Sequence, residues 1–269
     1  MLIAKLSRHQ RYDGRVLIAL TREVSPALGA CELTHLPRVP IDVDAARRQH
    51  RVCEQALTAA GCAVERLASG PDMPDAVFVE DIAVVFDELA IITRPGAESR
   101  REERVAVADA LRPYRMLRTI EAPGTIDGGD VLAVGRSVYI GRSSRTNDHA
   151  IAQVRRLLAP FGYTVRDVVV TGCLHLKSAV TALDNGVLLI NPDWIPTAPF
   201  GDVELVHVHP DEPAAANALR AGGSLIYPAA FPRTAERLAG RGFLLSCIDA
   251  SELAKAEGAV TCCSVILRQ

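Results

Sequence analysis

Residues His175-Leu176-Lys177-Ser178-Ala179-Val180-Thr181-Ala182-Leu183-Asp184-Asn185-Gly186-Val187-Leu188-Leu189-Ile190-Asn191-Pro192 read as a polar corner, an apolar strand, a tight turn and a second apolar strand. Asn185-Gly186 decides the reading, because both residues accept positive φ and a loop of that kind joins antiparallel strands. The same grammar occurs twice upstream. Glu80-Asp81 leads into strands predicted over 82–86 and 89–93, with a turn at Asp87-Glu88 and a helix from Ser99. Asp127-Gly128-Gly129-Asp130 leads into strands over 131–134 and 137–140, with a turn at Gly135-Arg136 and a helix from Asn147. Counting helices with their flanking strands gives about five such units, the signature of a repeat architecture. A ring of such units would turn each polar corner to the same end of its sheet, toward a common axis.

Helix starts support this spacing. Ser99-Arg100-Arg101-Glu102 has the form of a capping box ahead of Val105, Val107 and Leu111, and Asn147 precedes Ile151, Val154 and Leu158 at helical spacing. Asp42 is expected to cap a helix ending at Gly61, with further helices over 211–221 and 234–240 and a single turn over 251–254. The stretch 21–41 carries Pro26, Gly29, Pro37 and Pro40 without a clean period, and reads as a long loop of the kind that forms lids.

Composition narrows the function classes. The chain has 269 residues, 49% hydrophobic but only 4% aromatic, so its core is built from Ala, Val, Leu and Ile, which suits strands covered by helices: an α/β protein. No long linker divides it, and the expectation is a single domain over 1–269. Lys and Arg total 30 against 32 Asp and Glu, a formal charge of -2, which leaves no global field for a nucleic acid. Seven cysteines form an odd, scattered set, unlike a disulfide scaffold. With no secretion-signal pattern and no apolar run long enough to span a bilayer, the expectation is a cytoplasmic protein acting on a small molecule, with no membrane partner.

Several residues could carry chemistry. Cys262 lies with Cys263 in a strand-like run over 258–267, where alternation sends the two side chains to opposite faces. Buried, inert packing is the common fate of a free cysteine, so Cys262 gains weight only from company. His175 titrates near neutrality and could serve a leaving amine as acid and a water as base. Arg100 follows Asp81 by 19 residues and Arg145 follows Asp127 by 18. Arg100 falls in the first turn of its helix, where the dipole prefers an anion, so a cation there is best explained if it holds an anion itself. His207-Val208-His209 has metal-site spacing but no third ligand nearby in sequence, and Gly128-Gly129 lacks the flanks of a phosphate loop, reading instead as a tight turn that sets two aspartates.

These residues resemble the dimethylarginine dimethylaminohydrolases, members of the guanidine-modifying superfamily. The carriers are Pro74-Asp75-Ala76-Val77-Phe78-Val79-Glu80-Asp81, Thr93-Arg94-Pro95-Gly96-Ala97-Glu98-Ser99-Arg100-Arg101, Ile126-Asp127-Gly128-Gly129-Asp130-Val131, Arg145-Thr146-Asn147, Leu174-His175-Leu176-Lys177-Ser178 and Thr261-Cys262-Cys263-Ser264-Val265. The resemblance implies a five-bladed α/β propeller, the pentein fold, of pseudo-repeated ββαβ units around a central site. It implies Cys262 as nucleophile, His175 as proton-transfer residue and Asp127 as the carboxylate that orients histidine and guanidinium. Asp81, with Glu80 beside it, would bind the guanidinium. Arg100 and Arg145 would clamp the α-carboxylate, and Asp75 the α-ammonium with Leu33 of the lid and the backbone of Ala256.

The implied reaction converts N-omega-methylated arginines to citrulline and a methylamine through a covalent cysteine thiouronium. No metal or organic cofactor is implied, with zinc at Cys262 an inhibitor rather than a participant, and the protein is expected as a monomer or homodimer. Some family members carry Glu where this chain has Asp127. The alternatives are a deiminase acting on unmethylated arginine and a non-catalytic pentein that binds arginine-like ligands.

Overall fold

The computed structural model describes residues 11–12, 15–201 and 203–269. In chain order, β1 (Arg11–Tyr12), β2 (Arg15–Arg22), α1 (Val43–Ala59) and β3 (Cys62–Leu67) open the fold. Next come β4 (Ala83–Val85), β5 (Leu89–Ile92), α2 (Arg104–Leu111) and β6 (Met116–Thr119), then β7 (Val131–Val134), β8 (Ser137–Arg142), α3 (Asp148–Leu158) and β9 (Thr164–Val169). The remainder is α4 (Leu176–Ala179), β10 (Val180–Asp184), β11 (Val187–Ile190), β12 (Glu204–His207), β13 (Leu219–Ala221), β14 (Ser224–Pro228), α5 (Pro232–Gly240), β15 (Leu245–Ile248), α6 (Ser251–Ala254) and β16 (Val265–Arg268).

The strands form five small sheets. In four of them an antiparallel hairpin is followed by a strand parallel to its second member: β4-β5-β6, β7-β8-β9, β10-β11-β12 and β13-β14-β15. A parallel return needs a crossover over the sheet face, and α2, α3 and α5 supply it in three of these blades. The fifth sheet follows the same plan with parts from both ends of the chain, since β16 pairs antiparallel with β2 and β2 pairs parallel with β3. The chain's last strand thus completes the blade that its early strands begin, giving the five-bladed α/β propeller.

Packing seals the seams between blades. Ile151, Val154 and Leu158 of α3 lie on Val131, Val138 and Ile140 of their own sheet and on Phe86, Leu89 and Ile91 of the preceding one. Each such aliphatic side chain contributes about 1.5–3 kcal/mol by leaving water. The hairpin read from Asn185-Gly186 forms between β10 and β11, with Gly186 at φ 82°. Two of the three predicted caps form as well: Asp42 Oδ1 accepts the Ala45 N–H at 2.9 Å, and Asn147 Oδ1 accepts the Ala150 N–H at 3.1 Å.

Three expectations are corrected. No helix spans 211–221; residues 210–217 are turns leading to β13, because Ala215, Ala216 and Ala218 are buried against the β11–β12 and β14 side chains. Burial and strand pairing there outweigh the helix propensity of an alanine-rich run. The Ser99 capping box does not form. Ser99 donates its hydroxyl to Glu32 across the lid, residues Glu98–Glu103 make a 3-10 turn, and the α-helix begins at Arg104. Thr21 belongs to β2, its hydroxyl donating to Glu54 at 2.7 Å, so the long loop starts at Glu23.

The consequence for function is positional. Directly ahead of the five inner strands β4, β7, β10, β13 and β16 stand five polar corners, at Asp81, Asp127, His175, Asn217 and Cys262. No helix among the described residues is long and apolar enough to cross a membrane.

Candidate active site

The first two corners interlock through glycines. Asp81 sits in the 3-10 turn Val79–Ile82, where its Oδ1 accepts the Gly129 N–H at 3.1 Å and its Oδ2 accepts Arg100 Nη1 at 2.6 Å. A Cβ on Gly129 would lie 2.6 Å from His175 Nδ1 and 2.9 Å from Asp81 Oδ1; one on Gly128 would lie 2.0 Å from the Glu80 carbonyl oxygen. Only glycines allow these corners to approach so closely, which is the tight turn the sequence suggested.

Asp127 is fully buried; its Oδ1 accepts the Gly96 N–H at 2.8 Å, and its Oδ2 lies 3.0 Å from His175 Nε2. His175 Nδ1 faces Asp81 Oδ1 at 3.8 Å. Burial pushes the imidazole toward its neutral form, but the carboxylate of Asp81, the hydrogen bond from Asp127 and the charge of Asp130 outweigh it and raise His175 to about 9. Asp81 moves the other way: burial favours its acid form, and the His175 and Arg100 cations overcome this and hold its carboxyl below the usual range.

Asp130, which in the sequence simply closes a tight turn, organises the site. Its Oδ1 accepts the Leu176 N–H at 2.9 Å, and its Oδ2 accepts the hydroxyls of Ser143 at 2.5 Å and Thr146 at 2.6 Å. One buried carboxylate therefore ties the backbone after His175 to the residues on either side of Arg145. The signal in the sequence is the second aspartate that closes the turn Asp127-Gly128-Gly129-Asp130.

Cys262 lies in a turn rather than a strand, since β16 begins only at Val265. The Ala259 N–H points at its sulfur at 3.4 Å, and its carbonyl accepts the Glu80 N–H at 3.1 Å. Burial, with the charges of Glu80 and Asp81, raises the Cys262 thiol well above its ordinary value. Cys263 points away into the core among Val77, Phe78 and Leu253, so the division between the two sulfurs holds although the strand does not.

Asp75, Asp81, Arg100, Asp127, Arg145, His175, Ala256 and Cys262 line one narrow cavity with about 20 Å³ of free volume, together with Glu32, Phe78, Leu174, Glu257 and Gly258. Two expected residues lie outside it. Leu33 is half-buried and packs against the apolar cluster that includes Val24, Leu28, Cys31 and Phe78. Glu80 turns to the opposite side, where its oxygens accept from Lys177 Nζ at 2.7 Å and Thr261 Oγ1 at 2.8 Å.

The arginines differ in what they hold. Arg100 gives Nε and Nη2 to Glu103, Nη2 also to the Phe78 carbonyl, and one Nη1 hydrogen to Asp81. The anions that its position called for are thus the chain's own. Arg145 Nη2 donates to the Thr34 hydroxyl of the lid at 2.9 Å. Asp75 accepts the Glu32 N–H, and burial raises its carboxyl to about 6 against the pull of Arg100. The lid is further held by Glu257, whose carboxylate accepts the N–H groups of Thr34, His35 and Leu36 at 2.5–2.9 Å. Glu257 is the one non-glycine residue at positive φ among the described residues, at 57°.

Asp81, Asp127 and His175 are also the one group with metal-ligand spacing among the described residues. Two carboxylates flanking a depth of the cavity make it a receptor for a planar cation, with a thiol at one wall and acid, base and arginine around it.

A model of the eukaryotic N,N-dimethylarginine dimethylhydrolase family matches residues 39–197. The N(G),N(G)-dimethylarginine dimethylaminohydrolase of Streptomyces coelicolor is 41% identical over 256 residues, 93% of this chain and 97% of its own length. Its counterpart from Pseudomonas aeruginosa is 34% identical over 226 residues, 83% of this chain and 89% of its own. A solved structure from the same organism, a cysteine-to-serine mutant complexed with citrulline, superposes with a TM-score of 0.89 at 32% identity, covering 93% of this chain and 98% of that one. The N-terminal domain of the cyanobacterial arginine dihydrolase ArgZ, at 17% identity and a TM-score of 0.84, shares the fold.

Proposed function

The chain belongs to the dimethylarginine dimethylaminohydrolase family, and on that premise we propose how its own residues hydrolyse N-omega-methylated arginines to citrulline and methylamine or dimethylamine. The observation that supports this reading best is the placement of His175 between Asp81 and Asp127 in the cavity that Cys262 lines. The enzyme is a single catalytic domain over 1–269, acting on a small molecule in the cytoplasm. Its seven cysteines are all free thiols, as a reducing compartment allows.

Asp81 and Asp127 hold the substrate guanidinium, Arg145 takes the α-carboxylate with the remaining Nη1 hydrogen of Arg100, and Asp75 takes the α-ammonium beside Ala256. Leu33 acts through the lid that it anchors, and Glu80 supports the nucleophile from behind. The entering cation offsets the carboxylate charges that keep Cys262 protonated, and the thiol loses its proton to solvent. The thiolate adds to the guanidinium carbon, giving a neutral tetrahedral adduct. His175, protonated at neutral pH, passes its proton to the departing amine nitrogen as the C–N bond breaks, and a cationic thiouronium remains on Cys262. Neutral His175 then takes a proton from water as hydroxide adds to that carbon; the C–S bond breaks, citrulline leaves and the sulfur is reprotonated.

The test is citrulline formation from arginine, monomethylarginine and asymmetric dimethylarginine side by side, with the released amine identified. Methylamine and dimethylamine as the preferred products support the reading. Ammonia from plain arginine as the dominant product replaces it with deimination.

A further inference from the structure

Asn217 stands at the fourth corner, where the other corners carry Asp81, Asp127, His175 and Cys262. It is 4% exposed, and every polar atom of its amide is engaged with a neighbouring corner. Oδ1 accepts the Thr261 N–H at 3.1 Å; Nδ2 donates to Thr261 Oγ1 at 3.0 Å and to the Lys177 carbonyl at 3.0 Å. The amide has no freedom to flip, because an N–H can only donate and a carbonyl can only accept. With the Asn217 donor facing it, the Thr261 hydroxyl sends its own proton to Glu80 Oε2 at 2.8 Å. Lys177 Nζ meets the other Glu80 oxygen at 2.7 Å, and the Glu80 N–H reaches the Cys262 carbonyl at 3.1 Å.

The residues so joined each adjoin a site residue. Thr261 precedes Cys262, Glu80 precedes Asp81, and Lys177 follows His175 by two positions. None of the bonds touches the lid, Asp75 or Arg145. We propose that Asn217 is a positioning residue of the reaction: its amide holds the Cys262 turn in register with the Asp81 and His175 corners, and so sets the approach of the sulfur to the guanidinium carbon. A buried network with all members satisfied is stiff, and small displacements of a nucleophile are expensive in rate. The proposal rests on Cys262 being the nucleophile.

The experiment compares Asn217→Ala, Thr261→Val, their combination and Thr261→Ser for kcat and KM on asymmetric dimethylarginine, beside Cys262→Ser. It also follows carboxymethylation of Cys262 by iodoacetate against pH, read by peptide mass spectrometry without substrate. Each of the first two variants is expected to lose about 10–100-fold in kcat with KM changed by less than about threefold. The combination is expected to lose no more than the worse single variant, and Thr261→Ser, which keeps the hydroxyl and the N–H, to stay near wild type. The pH profile of Cys262 carboxymethylation shifts in Asn217→Ala. An unchanged kcat, a loss confined to KM, multiplicative losses in the combination, or an unmoved alkylation profile overturns the proposal. Should Asn217→Ala fail to fold, the Thr261 pair decides it: a valine variant as active as the serine variant overturns it. An active Cys262→Ser protein overturns the nucleophile assignment instead, whereas an inactive one beside a fully active Asn217→Ala removes only the role of Asn217.

Discussion

His175 Nε2 lies 3.0 Å from Asp127 Oδ2, while its other nitrogen faces Asp81 Oδ1 at 3.8 Å, so one imidazole is shared between two buried carboxylates. That pairing keeps the ring cationic at neutral pH and ready to protonate an amine. The His175 resonance, followed by NMR, should titrate near 9. Asp127→Asn removes one of the raising charges and is expected to move the midpoint downward and to cost about 10²–10⁴ in kcat, as loss of general acid–base catalysis does. A midpoint unmoved by that substitution contradicts the pairing.

Asp75 gives a separate acid limb. Its carboxyl is raised to about 6, and only the ionised form attracts an α-ammonium. As pH falls through about 6, KM should rise while kcat changes little. Asp75→Asn should raise KM at all pH values and flatten this limb; a limb that survives the substitution belongs to another group.

Gly129 tests the crowding of the corners. Gly129→Ala places a methyl 2.6 Å from His175 Nδ1, so the imidazole and Asp81 must separate. A loss of about 100-fold or more in kcat is expected with the protein still folded by circular dichroism. Near wild-type turnover would mean that the two corners can separate without harm.

Glu257 tests the lid. Its carboxylate is the shared acceptor for three consecutive lid amides, Thr34, His35 and Leu36. Glu257→Ala is expected to raise hydrogen exchange over 32–36 and to increase KM, because three backbone anchors of the lid are lost and the Arg145–Thr34, Asp75–Glu32 and Ser99–Glu32 contacts must hold this stretch without them. Exchange rates equal to wild type would show that the lid does not depend on this residue.

Much of this was legible because the informative signals are local. Asn185-Gly186, the Asp42 and Asn147 caps and the Gly128-Gly129 turn act within a few residues, and the repeat grammar let distant corners be placed at one end. What was hidden depends on contacts far along the chain. The Lys177–Glu80 bond joins residues 97 apart, and nothing near Glu80 indicates that it turns away from the cavity while its neighbour Asp81 turns in. Asn217 was masked by an alanine-rich run that reads as a helix until the burial of Ala215, Ala216 and Ala218 is known. Arg100 does hold anions, but it lies in the 3-10 turn ahead of α2 rather than in the first turn of that helix, and its anions are Glu103 and Asp81, which spacing alone does not distinguish from a ligand.

The central claim is that the sulfur of Cys262, and not that of its buried neighbour, attacks the guanidinium carbon. The most direct measurement is citrulline release from asymmetric dimethylarginine by wild-type, Cys262→Ser and Cys263→Ser proteins, each checked for folding and for substrate binding by calorimetry. The account predicts that Cys262→Ser binds substrate but releases no citrulline, and that Cys263→Ser retains turnover. An active Cys262→Ser protein, or a folded Cys263→Ser protein that binds substrate without turning it over, would contradict it.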